Sequence, residues 1–265
     1  VSNVVTLTAS TLFLMWLGEQ ITSRGIGNGV SLIIFAGIVA ELPSALISTL
    51  ELGRTGALST LFILAIVLLI LALLVLIIFM ERSFRKIIIQ YPKVNTGYSA
   101  HNAKSSHIPL KINTSGVIPP IFASSLLLFP ITMVSFNNDV DPSAMASFIS
   151  TNFTHGKPLF MIAFTALIMF FSFFYTAVVF NTEETANYLK KANGFIPGIR
   201  PGQQTAEYLD NVLTRITLLG AMYLSFVCLV PEIIISKYSL PFYFGGTSLL
   251  IVVNVAIDTV SQVQV

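Results

Sequence analysis

In Asn193-Gly-Phe-Ile-Pro-Gly-Ile-Arg-Pro-Gly-Gln-Gln-Thr205 a single cation, Arg200, stands inside a frame of prolines and glycines. Pro197 and Pro201 fix φ while Gly198 and Gly202 admit φ > 0, so the segment reads as consecutive turns holding Arg200 at an exposed tip. A stiff, charged tip suits docking to a partner. Gly25-Ile-Gly-Asn-Gly29 has a superficial likeness to a phosphate cradle. Val30 stands where G-x-G-x-x-G needs its last glycine, and no strand precedes it, so a tight turn into the next apolar run is the better reading. His101, His107 and His155 are scattered over two loops without metal-ligand spacing, so neither a metal nor another cofactor is expected. A membrane hydrolase would need a nucleophile with a partnered base, or metal ligands in its helices, and no His lies in any apolar run. The sequence does not read as that of an enzyme. Cys228 is the one cysteine, so no disulfide forms within the chain.

The elements that must position these residues are membrane helices. Of 265 residues, 54% are hydrophobic and 10% charged, against about 25% charged in soluble domains. The expected architecture is an all-α integral membrane protein, a polytopic helix bundle forming one membrane domain over 1–265. Six complete transmembrane helices are predicted, at 30–47, 57–80, 114–134, 159–180, 212–231 and 241–260, each near the ~20 apolar residues that cross ~30 Å of hydrocarbon. Residues 1–17 are too short alone and read as the tail of a truncated span. Of the 14 Lys and Arg, all but Arg54, Lys157 and Lys237 fall on one side under strict alternation. That side is predicted to be cytosolic, with loops at 18–29, 81–111 and 181–211.

Polar and aliphatic residues recur at helical spacing in three of the spans. Thr114, Ile118, Ile121, Ser125 and Phe129 form one stripe, Val30, Ile34, Gly37 and Glu41 a second, and Thr247, Ile251, Asn254 and Asp258 a third. Taken singly, each aliphatic member suits lipid or core packing, and the small hydroxylated ones suit tight helix packing. Together they suit a water-filled path with an apolar constriction. The spans 57–80, 114–134 and 159–180 hold no Asp, Glu, Lys, Arg or His. A secondary solute transporter, the alternative reading, normally keeps ionisable groups near mid-membrane.

Phe13-Leu-Met-Trp-Leu-Gly-Glu-Gln-Ile-Thr22, Arg24-Gly-Ile-Gly-Asn-Gly29, Gly116-Val-Ile-Pro119, Phe122-Ala-Ser-Ser125, Phe173-Phe-Tyr-Thr-Ala177, Phe195-Ile-Pro-Gly-Ile-Arg-Pro-Gly202 and Pro241-Phe-Tyr-Phe-Gly-Gly-Thr-Ser-Leu-Leu-Ile251 closely resemble the SecY family, channel subunits of the bacterial protein translocase. The likeness runs from Leu12 to about Gln264. It implies ten spans in two inverted halves, of which this chain would hold the end of the fourth and all of the fifth to tenth, in the bacterial inner (plasma) membrane. It implies a protein-conducting channel that translocates secretory polypeptides and releases membrane segments laterally into lipid. The matching pore-constriction positions are Val30, Ile34, Ile121 and Ile251, and the lateral-gate candidates are Ser124, Ser125 and Phe129. Implied partners are small membrane subunits of the SecE and SecG type, the SecA motor ATPase, the ribosome, signal sequences and unfolded polypeptides, and the lipid bilayer. Arg200, Lys93 and Lys104 are the candidate docking cations. Many relatives carry a basic pair in the first large loop where this chain has Gly97-Tyr98-Ser99.

Overall fold

The computed structural model describes residues 2–25, 27–54, 59–91, 106–136, 156–238 and 245–264. The apolar runs are helices, and several outlast their hydrophobic stretch. Helix α1 (Ser2–Arg24) continues through 18–24, where a loop was predicted over 18–29 and only a partial span over 1–17. Glu19 and Gln20 are good helix formers, so polarity there marks a helix end leaving the apolar layer, not the end of the helix. Helix α2 (Gly29–Arg54) likewise passes beyond the predicted 30–47, with Pro43 inside it. Helix α3 (Thr60–Glu81) matches 57–80 closely.

Helix α4 (Ile118–Phe136) starts four residues later than predicted, which takes Thr114 off its stripe. The residues before it form a turn with Gly116 at φ 63. Pro119 and Pro120 then fall in the first helical turn, where a missing N–H costs nothing. Helix α5 (Pro158–Val179) agrees with 159–180 and buries Phe160, Phe164, Ile168, Ser172 and Thr176 at four-residue steps.

The two predicted loops are in large part regular structure. Within 81–111, strands β1 (Phe84–Ile89) and β2 (Ser106–Lys111) pair antiparallel from Phe84↔Lys111 to Ile89↔Ser106. The all-α expectation therefore acquires a two-stranded sheet. Within 181–211, helix α6 (Thr182–Lys191) is capped by Asn181, whose Oδ1 accepts from the backbone N–H groups of Glu183 and Glu184. Glu183 and Glu184 in its first turn and Lys190 and Lys191 in its last complement the helix dipole. Helix α7 (Gln203–Tyr238) has 36 residues, far more than the predicted 212–231. At 1.5 Å per residue it is about 54 Å long, so part of it stands outside a ~30 Å hydrocarbon layer. Helix α8 (Gly246–Val263) closes the described chain.

Among the described residues, five helices are long and apolar enough to cross a membrane, and the apolar stretches Gly29–Ala45 and Ile118–Pro130 are shorter. The chain divides into two compact units, Val1–Ile78 with Thr154–Pro158 and Val227–Val265, and Phe79–Phe153 with Leu159–Phe226. In the first, α1 packs on α2 and α2 on α8. In the second, Ile87, Leu110, Ile196, Leu209 and Ile216 form a buried core that joins the hairpin, the Pro/Gly finger and α7.

Candidate functional site

The first unit holds three of the four predicted constriction residues. Thr22 and Asn28 set the start of α2. Thr22 Oγ1 donates to the Gly18 carbonyl at 2.8 Å and accepts from the Gly29 N–H at 2.8 Å. Asn28 Oδ1 then caps α2, accepting from Val30 N at 3.1 Å. Gly29 must lack a Cβ, because that atom would collide with the Gly18 carbonyl oxygen. Among the described residues of the segment, Gly27 takes φ 87, as a turn glycine can. Gly27 N also donates to Gln262 Oε1 at 2.5 Å, so the start of α2 lies at the end of α8.

Val30 and Ile34 are exposed on one side of α2, as are Gly37 and Glu41. Ile251 instead is buried, and so are Leu250 and Val253 beside it. In the second unit, Ile121 is half-buried on α4.

On the same helix, Ser124 and Ser125 both donate to the Ile121 carbonyl, at 2.9 and 2.8 Å. Their hydroxyls are thus satisfied within the helix, which lets this face meet an apolar medium without orphaned donors. Ser125 and Phe129 are exposed. Pro130 lies one residue on, inside the helix, and removes a backbone donor there. Phe122 stacks on Phe171 of α5 with ring centroids 5.7 Å apart.

The finger carrying Arg200 is fixed at its base. Helix α6 ends with Asn193 at φ 54, Asn193 N donating to the Lys190 carbonyl and Gly194 N to the Leu189 carbonyl, the two bonds of a Schellman stop. Phe195 and Gln90 then exchange backbone hydrogen bonds of 2.9 and 3.0 Å, and Ile196 is buried in the core. Gly198 at φ 81 and Gly202 at φ 115 make the turns that sequence requires of them. Thr205 Oγ1 donates to the Arg200 carbonyl at 3.1 Å, while the Arg200 side chain is exposed. Beside it, a cleft of about 430 Å³ between α6 and α7 is lined by Glu183, Glu207 and Asp210. This face therefore carries both signs of charge.

Lys93, Lys104, His101, His155 and the tip at Gly97-Tyr98-Ser99 lie outside the described residues. His107 is exposed on β2. Among the described residues no group of His, Cys, Asp and Glu is arranged to hold a metal ion. Sequence reasoning missed the buried trio Glu81, Asn113 and Ser115 at the root of the hairpin. Asn113 Nδ2 donates to Glu81 Oε1 at 2.6 Å and to the Gly116 carbonyl at 3.1 Å, and Ser115 Oγ donates to Asn113 Oδ1 at 3.3 Å. One signal was available: Glu81 closes a run otherwise free of charge.

The fold is that of a multi-pass helical membrane protein with a structured module built on its helix ends. The profile of the SecY family matches residues 1–260, and the chain belongs to that family. It is 53% identical over 264 residues to "Protein translocase subunit SecY" of Rickettsia felis, covering 100% of this chain and 60% of that protein. The Escherichia coli K12 protein of the same name is 52% identical over 98% of this chain and 59% of its own length. The chain thus spans about three fifths of these relatives. Two solved structures share the fold at low identity. One, described as showing that the plug domain of the SecY protein stabilises the closed state of the translocation channel and maintains a membrane seal, has a TM-score of 0.68 at 17% identity, over 96% of this chain and 63% of that one. Another, "The structure of a protein conducting channel", gives 0.64 at 16% identity, over 96% of this chain and 62% of that one.

Proposed function

We propose that the chain is the greater part of the central subunit of a protein-conducting channel, which passes secretory polypeptides across the bacterial inner membrane and releases membrane segments sideways into lipid. The observation that carries this reading is the match to relatives named as protein translocase subunits along its whole length. The geometry supports it. Val30 and Ile34 offer an exposed aliphatic face on a helix that packs against the one bearing Ile251. With Ile121 they would form a collar that dewets and so resists ions, yet yields by rotamer changes to an extended chain, since it holds no fixed charge. Ser124, Ser125 and Phe129, on a helix that contains Pro130 and whose serine hydroxyls are self-satisfied, would face a signal helix leaving toward lipid. Small residues make a seam that parts more easily than interlocked leucines.

The hairpin, α6 and the finger form the docking module, and its side is cytosolic. Arg200 would meet an acidic surface of the SecA-type motor, while Lys93 and Lys104 would meet ribosomal phosphates. SecE- and SecG-type subunits complete the complex. Two measurements test this. In the full-length complex, Ile34→Asn should raise the single-channel open probability or conductance severalfold, because an amide wets the collar; Ile34 suits this test better than buried Ile251, where an amide would also weaken packing. An unchanged conductance would remove Ile34 from the collar. Arg200→Glu should lower motor-driven translocation about tenfold or more while leaving the thermal midpoint in detergent unchanged, because one charge pair is reversed at an exposed tip. Transport at the parental rate would end the docking role.

A further inference from the structure

Arg85 on β1 and Arg215 on α7 open onto one cavity of about 410 Å³, lined also by Tyr208, Asn211, Ile216 and Leu219. Among the described residues no acidic side chain lines it. The α7 residues recur at three- and four-residue steps, so they share one helix face: polar at 208 and 211, cationic at 215, apolar from 216 onward. Past Leu219 the same face continues as Met222 and Phe226, and these three are 58%, 53% and 55% exposed. Arg85 reaches the cavity through strand alternation. It lies on the β1 face that buries Ile87 and Ile89, and Ile87 and Ile216 belong to one core cluster. Strand and helix are therefore fixed to each other, which sets the backbones of Arg85 and Arg215 on either side of the cavity.

Two cations without a lining carboxylate, set above an exposed apolar stripe on a membrane-crossing helix, suit an anionic headgroup with a hydrocarbon tail. We propose that this cavity binds an anionic phospholipid. Its phosphate lies between Arg85 and Arg215, whose forked N–H groups match phosphate oxygens, and an acyl chain runs along Leu219, Met222 and Phe226. From Arg215 to Phe226 the helix rises about 16 Å, close to the ~15 Å hydrocarbon depth of one leaflet. Free phosphate would use the arginines but leave the stripe idle. The site does not depend on the chain's transport role.

The test is native mass spectrometry of the full-length complex, titrated with phosphatidylglycerol or phosphatidylcholine. With each near-surface cation contributing roughly a few-fold, the parent should favour phosphatidylglycerol about tenfold, and Arg85→Ala with Arg215→Ala should reduce that to about parity. Lys86→Ala with Lys191→Ala, which removes two exposed cations outside the cavity, should keep the preference. Millimolar inorganic phosphate should not displace the lipid. The proposal is overturned if the arginine pair can be removed without loss, if the lysine pair lowers the preference equally, or if inorganic phosphate competes on equal terms. A photoreactive residue at Leu219 that captures a protein chain instead of lipid would also overturn it.

Discussion

Gly246→Val is expected to keep the full-length protein from accumulating in membranes, through an overpacking cost of about 3 kcal/mol or more. Gly246 opens α8 where that helix meets α7 within the first unit. A Cβ there would collide with the Val227 carbonyl oxygen and stand 2.6 Å from the Cα of Cys228. Both obstacles are backbone, so no rotamer change relieves them, and the helix would have to move away from its neighbour. Close approach of this kind is what small residues supply between membrane helices, where water contributes no drive to helix–helix packing. Gly37 is the internal comparison. It lies in the middle of α2, and a Cβ there meets nothing within 4 Å. Gly37→Ala should leave stability unchanged or raise it by up to about 1 kcal/mol, through helix propensity alone. Membrane abundance and the thermal midpoint in detergent separate the two. Equal behaviour of both variants would show that α8 is not held against α7 at Gly246.

The contrast between these glycines marks how far the sequence was legible. Hydropathy located the membrane helices because an apolar run of about 20 residues has one dominant physical meaning. It misjudged their ends, since the same measure ends the first run at Leu17 and begins the 212–231 span at Val212, whereas backbone hydrogen bonding carries α1 to Arg24 and begins α7 at Gln203. Length beyond the apolar layer is set by helix propensity and by contacts such as Leu209 in the core shared with the hairpin and the finger, which a hydropathy window cannot see. The finger was legible for a different reason. Pro197, Gly198, Pro201 and Gly202 constrain φ locally, and turns made from local constraints need no distant partner. The hairpin was not legible, because its strands are only six residues each and its register depends on long-range pairing. Nothing in the spacing of the stripes could show that Ile251 is buried while Val30 and Ile34 are exposed. Periodicity assigns residues to a face but does not say what covers it.

Long-range polar pairing is the other kind of information that spacing withholds, and Asn113 is its clearest case. Asn113→Asp is expected to destabilise the second unit by roughly 3 kcal/mol. Asn113 is 4% exposed and Glu81 7% exposed, and the amide nitrogen of Asn113 donates to both Glu81 Oε1 and the Gly116 carbonyl. Aspartate removes both donors and sets two carboxyl groups at hydrogen-bond distance in a buried place. The chemistry can be exchanged between partners. Adding Glu81→Gln to Asn113→Asp supplies an amide that donates to the new carboxylate across the same gap, though the Gly116 carbonyl stays without its donor. A double-mutant cycle on thermal unfolding in detergent should therefore show the pair recovering about 2 kcal/mol, within the range of directly bonded residues. Strict additivity would mean that the two side chains do not sense each other. Glu81 ends α3, and Asn113 stands just before the turn into α4, so this bond ties one membrane helix to the entry of the next. If α4 is the helix that yields to a signal segment, the clamp fixes the end about which it moves. The swapped pair should then restore the translocation rate along with stability, whereas Asn113→Leu, which abolishes the bond without adding charge, should restore neither.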